Sequence, residues 1–246
     1  MILLRRIYSF YALFIFLGFF LLLYPFFYLF LQKKSWYVYA HQVNRIWGKC
    51  VFFFCFISYR PEFRFIQDRK RSYVYCANHT SFLDIPTLYM SIPGIFSFIG
   101  KISLRKVPLF GYMYFKLHIL VDRKSPQSRV DSLKKAAALI DAGGSISIFP
   151  EGTIPKENPA MIEFKDGAFR LAIEKQIPIV PVTIVNNWLI LPDDGKYLPN
   201  IKPCKIIFHE PISTIGWGLD RVKELKEITF QTISSEMKKQ LGNAYR

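Results

Sequence analysis

The sequence predicts an α/β fold, a mixed, largely parallel sheet flanked by helices and preceded by an N-terminal helical membrane motif. After residue 60, short β-branched or aromatic runs alternate with amphipathic segments of helical length, the pattern of an α/β sheet. Most of these runs are apolar throughout, as in strands buried on both faces. Before residue 60 the chain is apolar and basic. We therefore predict a membrane motif over residues 1–60 and one α/β domain over residues 61–246.

The first predicted element is a long apolar helix. Residues 7–31 form a run of 25 residues without a charged side chain, which is long enough to cross a bilayer. A second apolar run, residues 50–59, is too short to span. Two arrangements fit these runs: a single membrane-spanning helix, and a helical pair that dips into one leaflet.

Basic residues flank the long apolar run on both sides. Arg5 and Arg6 precede it, and Lys33 and Lys34 follow it. The preference of cations for the cytoplasm therefore gives a single span no clear orientation. A helical pair in one leaflet would keep both clusters, and Arg45, on the cytoplasmic side, so the charges favour the helical pair.

The elements of the α/β domain are predicted from the spacing of apolar residues and from the residues that start or stop helices and strands. Strands are predicted at Phe63–Ile66, Tyr73–Ala77, Ile95–Ile99, His118–Asp122, Ser145–Phe149, Ile177–Ile184 and Lys205–His209. Helices are predicted at Phe82–Ser91, Pro108–Lys116, Gln127–Ala142, Asp166–Lys175 and Leu219–Leu241. Gly143-Gly144 is a strong stop after the alanine-rich helix.

The net charge of +15 is concentrated where the chain is most apolar. The first 71 residues carry 11 Lys/Arg against 2 Asp/Glu. Basic residues beside long apolar runs favour an anionic membrane surface as a partner. The sequence has no zinc-knuckle spacing, RNP-like run or recognition-helix pattern, so no nucleic acid partner is expected. The four cysteines have no C-x-x-C spacing and predict reduced thiols, with no metal ion and no redox cofactor.

A histidine and an aspartate stand five residues apart directly after the strand predicted at Tyr73–Ala77. His79 and Asp84 can meet if His79 lies in the turn and Asp84 in the first turn of the next helix. Such a pair supplies a base and the acid that orients it. The plainer interpretation is that Ser81 and Asp84 form a capping box and His79 is a turn residue. The two roles are compatible.

A second polar turn, Glu151-Gly152-Thr153, follows the strand predicted at Ser145–Phe149. Backbone N–H groups beside a glycine at a strand end can receive an anion or a developing oxyanion. An ordinary β-turn is the alternative. The chain has no G-x-S-x-G elbow, and Ser81 is too close to His79 in sequence to serve as its nucleophile.

Together these segments resemble the blocks of the glycerolipid acyltransferases, specifically the 1-acylglycerol-3-phosphate (lysophosphatidate) acyltransferases. The resemblance covers about residues 61–210 in the family's order. The matching blocks are Asn78-His79-x4-Asp84; Gly100-Lys101-x2-Leu104-x3-Pro108-x2-Gly111 with Val121-Asp122-Arg123; Phe149-Pro150-Glu151-Gly152-Thr153; and Val180-Pro181-Val182-Thr183-Ile184. It implies a glycerol-3-phosphate acyltransferase-like fold, and an N-terminal two-helix motif also occurs in bacterial members.

The resemblance also implies roles. His79 is the general base for the acceptor hydroxyl and Asp84 is its partner. The hydroxyl of lysophosphatidate attacks the thioester of an acyl carrier protein or coenzyme A, without an acyl-enzyme. Lys101 meets the acceptor phosphate, and the acceptor site is shaped by Glu151, Gly152 and Thr153.

One position departs from the family's pattern. The family usually has arginine after the E-G-T sequence, and here Ile154 stands there. Phosphate binding then falls on Lys101 together with Arg123, Lys156 or Lys165. A related acceptor, such as a lyso-aminolipid, remains open.

The sequence therefore predicts a membrane enzyme of phospholipid biosynthesis that acylates lysophosphatidate to phosphatidate. Because carrier protein and coenzyme A are cytoplasmic, the catalytic domain is expected on the cytoplasmic face. The alternatives are an acyltransferase of the same mechanism on another lyso-lipid, and a non-catalytic membrane-binding protein.

Overall fold

Seven strands form one sheet in the computed structural model, which describes residues 2–196, 198–242 and 245. The strands are β1 (Tyr59–Phe63), β2 (Val74–Ala77), β3 (Phe96–Lys101), β4 (Ile119–Val121), β5 (Ser145–Ile148), β6 (Ile179–Ile184) and β7 (Cys204–Phe208). The helices are α1 (Ile2–Phe30), α2 (Tyr37–Phe54), α3 (Asp84–Ser91), α4 (Phe110–Leu117), α5 (Pro126–Asp141), α6 (Gly167–Glu174), α7 (Asn187–Ile190) and α8 (Val222–Leu241).

The sheet has the order β1-β7-β6-β2-β5-β3-β4. The five strands from β6 to β4 are parallel to one another, and β1 is parallel to β7. The antiparallel pair β6–β7 joins the two groups. The predicted mixed, largely parallel sheet is therefore confirmed.

Helices cover both faces of the sheet because successive side chains of its strands point to opposite sides. In β2, Val74 and Cys76 pack into a core with residues of α5, α6 and α8. Tyr73, Tyr75 and Ala77 pack into a second core with residues of α3. The alanine-rich helix α5 begins at Pro126, after a Ser125 side chain that accepts a hydrogen bond from the Ser128 backbone N–H.

The two N-terminal helices form an antiparallel hairpin. The Tyr8 hydroxyl donates to the Cys55 carbonyl, the Trp47 ring N–H donates to the Phe16 carbonyl, and the rings of Phe30 and Tyr39 lie 5.4 Å apart. Helix α1 is long and apolar enough to cross a membrane, and only 11% of its most apolar 18-residue window is buried within the protein. This exposed apolar surface indicates association with a membrane.

The second helix differs from the apolar run seen in the sequence. It begins at Tyr37 and ends at Phe54, whereas the run over residues 50–59 continues into a loop and β1. Arg45 is buried, and its guanidinium donates to the carbonyls of Ile92 (2.7 Å) and Gly94 (2.7 Å). Helix α2 is amphipathic and uses this polar residue to pack on the α/β domain, so Arg45 is not free to meet a membrane surface.

The first strand lies earlier than predicted, at Tyr59–Phe63 instead of Phe63–Ile66. Pro61 lies within it. Strand β1 is at the edge of the sheet and, among the described residues, pairs with β7 alone. Proline is tolerated in an edge strand, where one side of the backbone has no neighbour.

Candidate active site

The predicted site residues lie at one edge of the sheet. Because β2 to β6 are parallel, their carboxyl ends meet at the same edge, where ligands bind in open α/β sheets. His79 follows β2, Glu151 follows β5, Lys101 ends β3 and Arg123 follows β4.

The structure brings His79 and Asp84 together. The Nδ1 atom of His79 lies 2.8 Å from Oδ2 of Asp84, and the same oxygen accepts from the backbone N–H groups of Thr80 (2.6 Å) and Ser81 (2.9 Å). Asp84 is fully buried and the His79 side chain is 14% exposed. With Nδ1–H donating to Asp84, Nε2 is the ring atom that can accept a proton from a substrate.

The plainer interpretation, a capping box, is met only in part. Asp84 is the first residue of α3, so it is not the third helical residue that a capping box requires, although its carboxylate accepts from the Ser81 backbone N–H. The Ser81 hydroxyl does not complete the box. It accepts from the Leu83 backbone N–H and donates to the Leu191 carbonyl.

An asparagine that the sequence did not single out completes the surroundings of Asp84. The amide N–H of Asn187, at the start of α7, donates to Oδ1 of Asp84 at 2.8 Å, and its carbonyl oxygen accepts from the Cys204 thiol. Asn187 is fully buried. Its position three residues after the strand predicted at Ile177–Ile184 is the signal that could have found it.

Asn78 fastens this part of the site to β6. Its side-chain amide donates to the Ile184 carbonyl (3.0 Å) and accepts from the Ile184 backbone N–H (2.8 Å). The residue is fully buried. The backbone that carries His79 is thereby tied to the end of the neighbouring strand.

Glu151 holds His79 from the other side. One carboxylate oxygen accepts from the His79 backbone N–H at 2.8 Å and the other accepts from the Ile162 backbone N–H at 3.1 Å. Glu151 is 1% exposed. Burial raises its pKa to about 7, against the two hydrogen bonds that lower it, and the negative charge of Asp84 raises it further.

The His79 ring is also held by stacking. The ring of Phe149, at the end of β5, lies 3.9 Å from it between centroids, with 13° between the planes. In the sequence Phe149 was recognised only as part of a motif. Ring and backbone of the base are therefore both fixed by the turn after β5, a preorganised arrangement.

The turn after β5 contains a glycine with a left-handed backbone conformation. Gly152 has φ of +75°, and a Cβ atom there would lie 2.6 Å from Nζ of Lys165. The Lys165 backbone N–H donates to the Pro150 carbonyl. The ammonium group of Lys165 thus lies over the turn, whereas Thr153 and Lys156 are exposed on the loop that follows.

Lys101 and Arg123 lie further along the edge. Lys101 and Val121 are partners across the β3–β4 pair, so both cations lie at neighbouring strand ends beyond β5. Both side chains are exposed. Strand order therefore gives a row of groups that begins with His79 and ends with Arg123.

Comparison with known proteins identifies the family. The acyltransferase family model matches residues 59–185, which is just over half of the chain and includes the His79–Asp84 pair and the turn after β5. The chain belongs to the acyltransferase family. The predicted family membership is confirmed.

Relatives with curated names are similar over part of the chain. A chloroplastic 1-acyl-sn-glycerol-3-phosphate acyltransferase of Brassica napus is 36% identical over 140 residues, 56% of this chain and 40% of its own length. A 1-acyl-sn-glycerol-3-phosphate acyltransferase of Haemophilus influenzae is 33% identical over 179 residues, 68% of this chain and 69% of its own. The chain thus spans about two fifths of the plant protein and two thirds of the bacterial one.

One solved structure has the same fold over nearly the whole chain. The crystal structure of the 1-acyl-sn-glycerophosphate acyltransferase PlsC from Thermotoga maritima superposes with a TM-score of 0.79. It covers 97% of this chain and 98% of its own, at 21% identity. The fold likeness includes the N-terminal helices, since residues 1–60 make up far more than the uncovered part.

Proposed function

We propose that this acyltransferase moves a fatty acyl group from an acyl carrier protein or coenzyme A thioester to the free hydroxyl of 1-acylglycerol-3-phosphate, giving phosphatidate. The observation that carries this proposal is the buried Asp84 bonded to His79 at the carboxyl end of β2. The names of the Brassica and Haemophilus relatives support the choice of acceptor.

The proposed reaction is a direct transfer. Nε2 of His79 takes the proton of the acceptor hydroxyl as its oxygen attacks the thioester carbonyl. The new ester C–O bond forms, the C–S bond breaks, and the thiolate leaves with the proton that His79 has carried. The carboxylate of Asp84 stabilises the imidazolium formed between the two proton transfers.

We propose that the acceptor phosphate lies toward the β5 and β3 strand ends. Ile154 stands where the family usually has arginine. The ammonium group of Lys165 lies beside the turn after β5, and Lys101, Lys156 and Arg123 are exposed along the same edge. Lysine binds phosphate as a point charge, so several lysines can share this role.

We propose further that α1 and α2 form a membrane motif in one leaflet, with the domain that follows on the cytoplasmic face. Both ends of α1 contact that domain: Arg5 donates to the Leu198 carbonyl (2.6 Å), and the rings of Tyr28 and Tyr112 lie 6.1 Å apart. A helix of 29 residues is about 43 Å long. A helix held at both ends along one domain is poorly arranged to cross a bilayer.

Acyl transfer to a panel of lyso-acceptors tests the reaction. Purified protein is given lysophosphatidate, a lyso-aminolipid and other lyso-lipids with each thioester donor, and His79→Ala serves as the catalytic control. We expect turnover with lysophosphatidate and a loss of at least about 100-fold in His79→Ala. Turnover only with another acceptor would replace the substrate, and a His79→Ala protein that folds and keeps more than a tenth of the activity would exclude the mechanism.

Single cysteines test the membrane arrangement. Leu3→Cys and Ser35→Cys are placed separately in a protein lacking the four native cysteines. Labelling of both positions by an impermeant reagent only after the cytoplasmic side is opened is expected for a helical pair in one leaflet. Labelling of position 3 from outside intact cells would establish a true span.

A further inference from the structure

A strained turn lies between the 3-10 turn at Ile102–Lys106 and helix α4. Leu109 has φ of +60° and ψ of −54°, and the Phe110 backbone N–H donates to the Pro108 carbonyl at 2.6 Å. This is a γ-turn of the rare, strained form. A leucine in this region of φ is unfavourable, because only glycine adopts it readily. We call residues 107–109 the apolar tip.

The surrounding backbone holds the apolar tip in place. The Gly111 N–H donates to the Val107 carbonyl at 2.7 Å, and the Val107 N–H donates to the Leu104 carbonyl at 3.2 Å. A Cβ atom at Gly111 would collide with the carbonyl oxygen of Arg105. The tip is therefore a fixed shape, and its strain is maintained by the fold.

The apolar tip exposes large apolar side chains to solvent. Val107 is 45% exposed and Leu109 is 44% exposed. Arg105 and Lys106, directly before the tip, are also exposed. Apolar side chains bordered by cations match the boundary between acyl chains and anionic headgroups.

The segment that follows the tip packs against α1. Phe110, next to the tip, has its ring 6.3 Å from that of Phe20 in α1, and Tyr112 contacts Tyr28. The same segment begins at Lys101, at the end of β3 on the site edge. One lipid surface can thus contact α1 and the tip together, beside the site.

Phe56 follows the same pattern at the other end of the hairpin. It has φ of +56°, is 67% exposed, and closes α2 with the Ile57 N–H donating to the Phe52 carbonyl. Glycine is the usual residue in such a helix end. The third non-glycine residue with positive φ in the described part of the chain, Gln176, instead uses its side chain to bond Ile173 and Trp217.

We propose that the apolar tip is a second membrane contact, in which Val107 and Leu109 insert between the acyl chains of an anionic lipid surface. Position 109 is occupied by an exposed leucine, although glycine would fit the backbone there better. Together with the helical pair, the tip would press the edge that carries Lys101 against the leaflet from which a lipid acceptor arrives. The proposal rests on the proposed membrane motif, and the measurement below separates the two.

Depth-resolved fluorescence quenching tests the insertion of the apolar tip without an assay of acyl transfer. Leu109→Cys, Phe56→Cys and Ile215→Cys are made singly in a protein lacking the native cysteines and labelled with an environment-sensitive fluorophore. Ile215 is 67% exposed and follows Ile212, which pairs with Ile179 at the start of β6. It therefore lies at the opposite edge of the sheet and is the matched control. The probe is a vesicle of phosphatidylcholine and phosphatidylglycerol with spin labels on the acyl chains.

We expect quenching at positions 109 and 56 and none at 215. Quenching at 56 alone would overturn the tip proposal and leave the membrane motif standing. No quenching at either would overturn both. A fluorescence change at 109 on adding acyl carrier protein, without quenching by vesicles, would assign the tip to a protein partner and overturn the proposal.

Leu109→Gly separates insertion from packing. Glycine relieves the strain, so the thermal midpoint is expected to stay equal or rise. Vesicle affinity is expected to fall roughly 3- to 10-fold, since part of a leucine side chain no longer enters the lipid. Ile215→Gly should leave vesicle affinity unchanged. A lower midpoint with unchanged affinity would make Leu109 a packing residue and overturn the proposal.

Discussion

Replacing Glu151 with glutamine tests whether burying the ionised carboxylate of this residue lowers the stability of the folded protein. Both carboxylate oxygens accept backbone N–H groups, from His79 and Ile162, and the residue is 1% exposed. Two N–H donors suit the ionised form. Burial opposes ionisation and raises the pKa of Glu151 from 4.5 to about 7.

The sign and size of the effect follow from linkage. The pKa in the folded state lies above that in the unfolded state, so the stability from protonated Glu151 is complete below pH 4.5 and is lost as pH rises through about 7. The difference between 4.5 and about 7 corresponds to about 3 kcal/mol. Glutamine does not titrate. The free energy of unfolding of Glu151→Gln, relative to the unmodified protein, should therefore rise by about 3 kcal/mol across this range.

The assay is denaturant unfolding in detergent micelles at several pH values from about 4.5 to about 8. Any constant difference caused by the amide cancels, because only the change with pH is used. Glu157→Gln, at an exposed position of the same loop, is the control and should follow the unmodified protein at every pH. Curves for Glu151→Gln and the unmodified protein that stay parallel would refute the reasoning.

Three further predictions concern the site. Asp84→Asn should lower turnover by at least about 100-fold by losing the charge that steadies the imidazolium, and normal turnover would exclude that role. Asn187→Leu should cost about 1.5–3 kcal/mol of unfolding free energy, because Oδ1 of Asp84 loses its 2.8 Å donor. Asn186→Leu is the control at the neighbouring position, since that amide bonds Pro203 and Lys205 and not Asp84. Lys101→Met and Lys165→Met should each raise the apparent KM for lysophosphatidate more than that for the thioester; equal changes would point to a structural or donor-side role.

Much of the domain could be predicted from the sequence because the residues that begin and end its helices and strands act locally. Apolar runs and helix stops mark the elements directly, and α5 lies within one residue of its predicted bounds at each end. His79 and Asp84 are close in sequence, so one turn decides whether they meet.

What could not be predicted depends on strand order. Asn187 reaches Asp84 because β6 lies beside β2, and Glu151 reaches the His79 backbone because β5 lies on the other side of β2. Neither of these two contacts is implied by spacing along the chain. The burial of Arg45 was missed for a related reason, since the sequence does not indicate that α2 would pack on the carbonyls of Ile92 and Gly94.

Strand order also ranks the cations that could replace the family's usual arginine. Neighbouring strands are about 4.8 Å apart, so the end of β5 lies one spacing from His79, that of β3 about 10 Å away and that of β4 about 14 Å away. Lys165 lies over the turn after β5 and is the nearest, Lys101 follows, and Arg123 is the most distant. A glycerol phosphate whose free hydroxyl meets Nε2 of His79 would therefore bring its phosphate to Lys165 and Lys101 before Arg123. With Ile154 in place of an arginine, the acceptor then needs no change of direction, because the Lys165 ammonium group beside Gly152 already lies on that path.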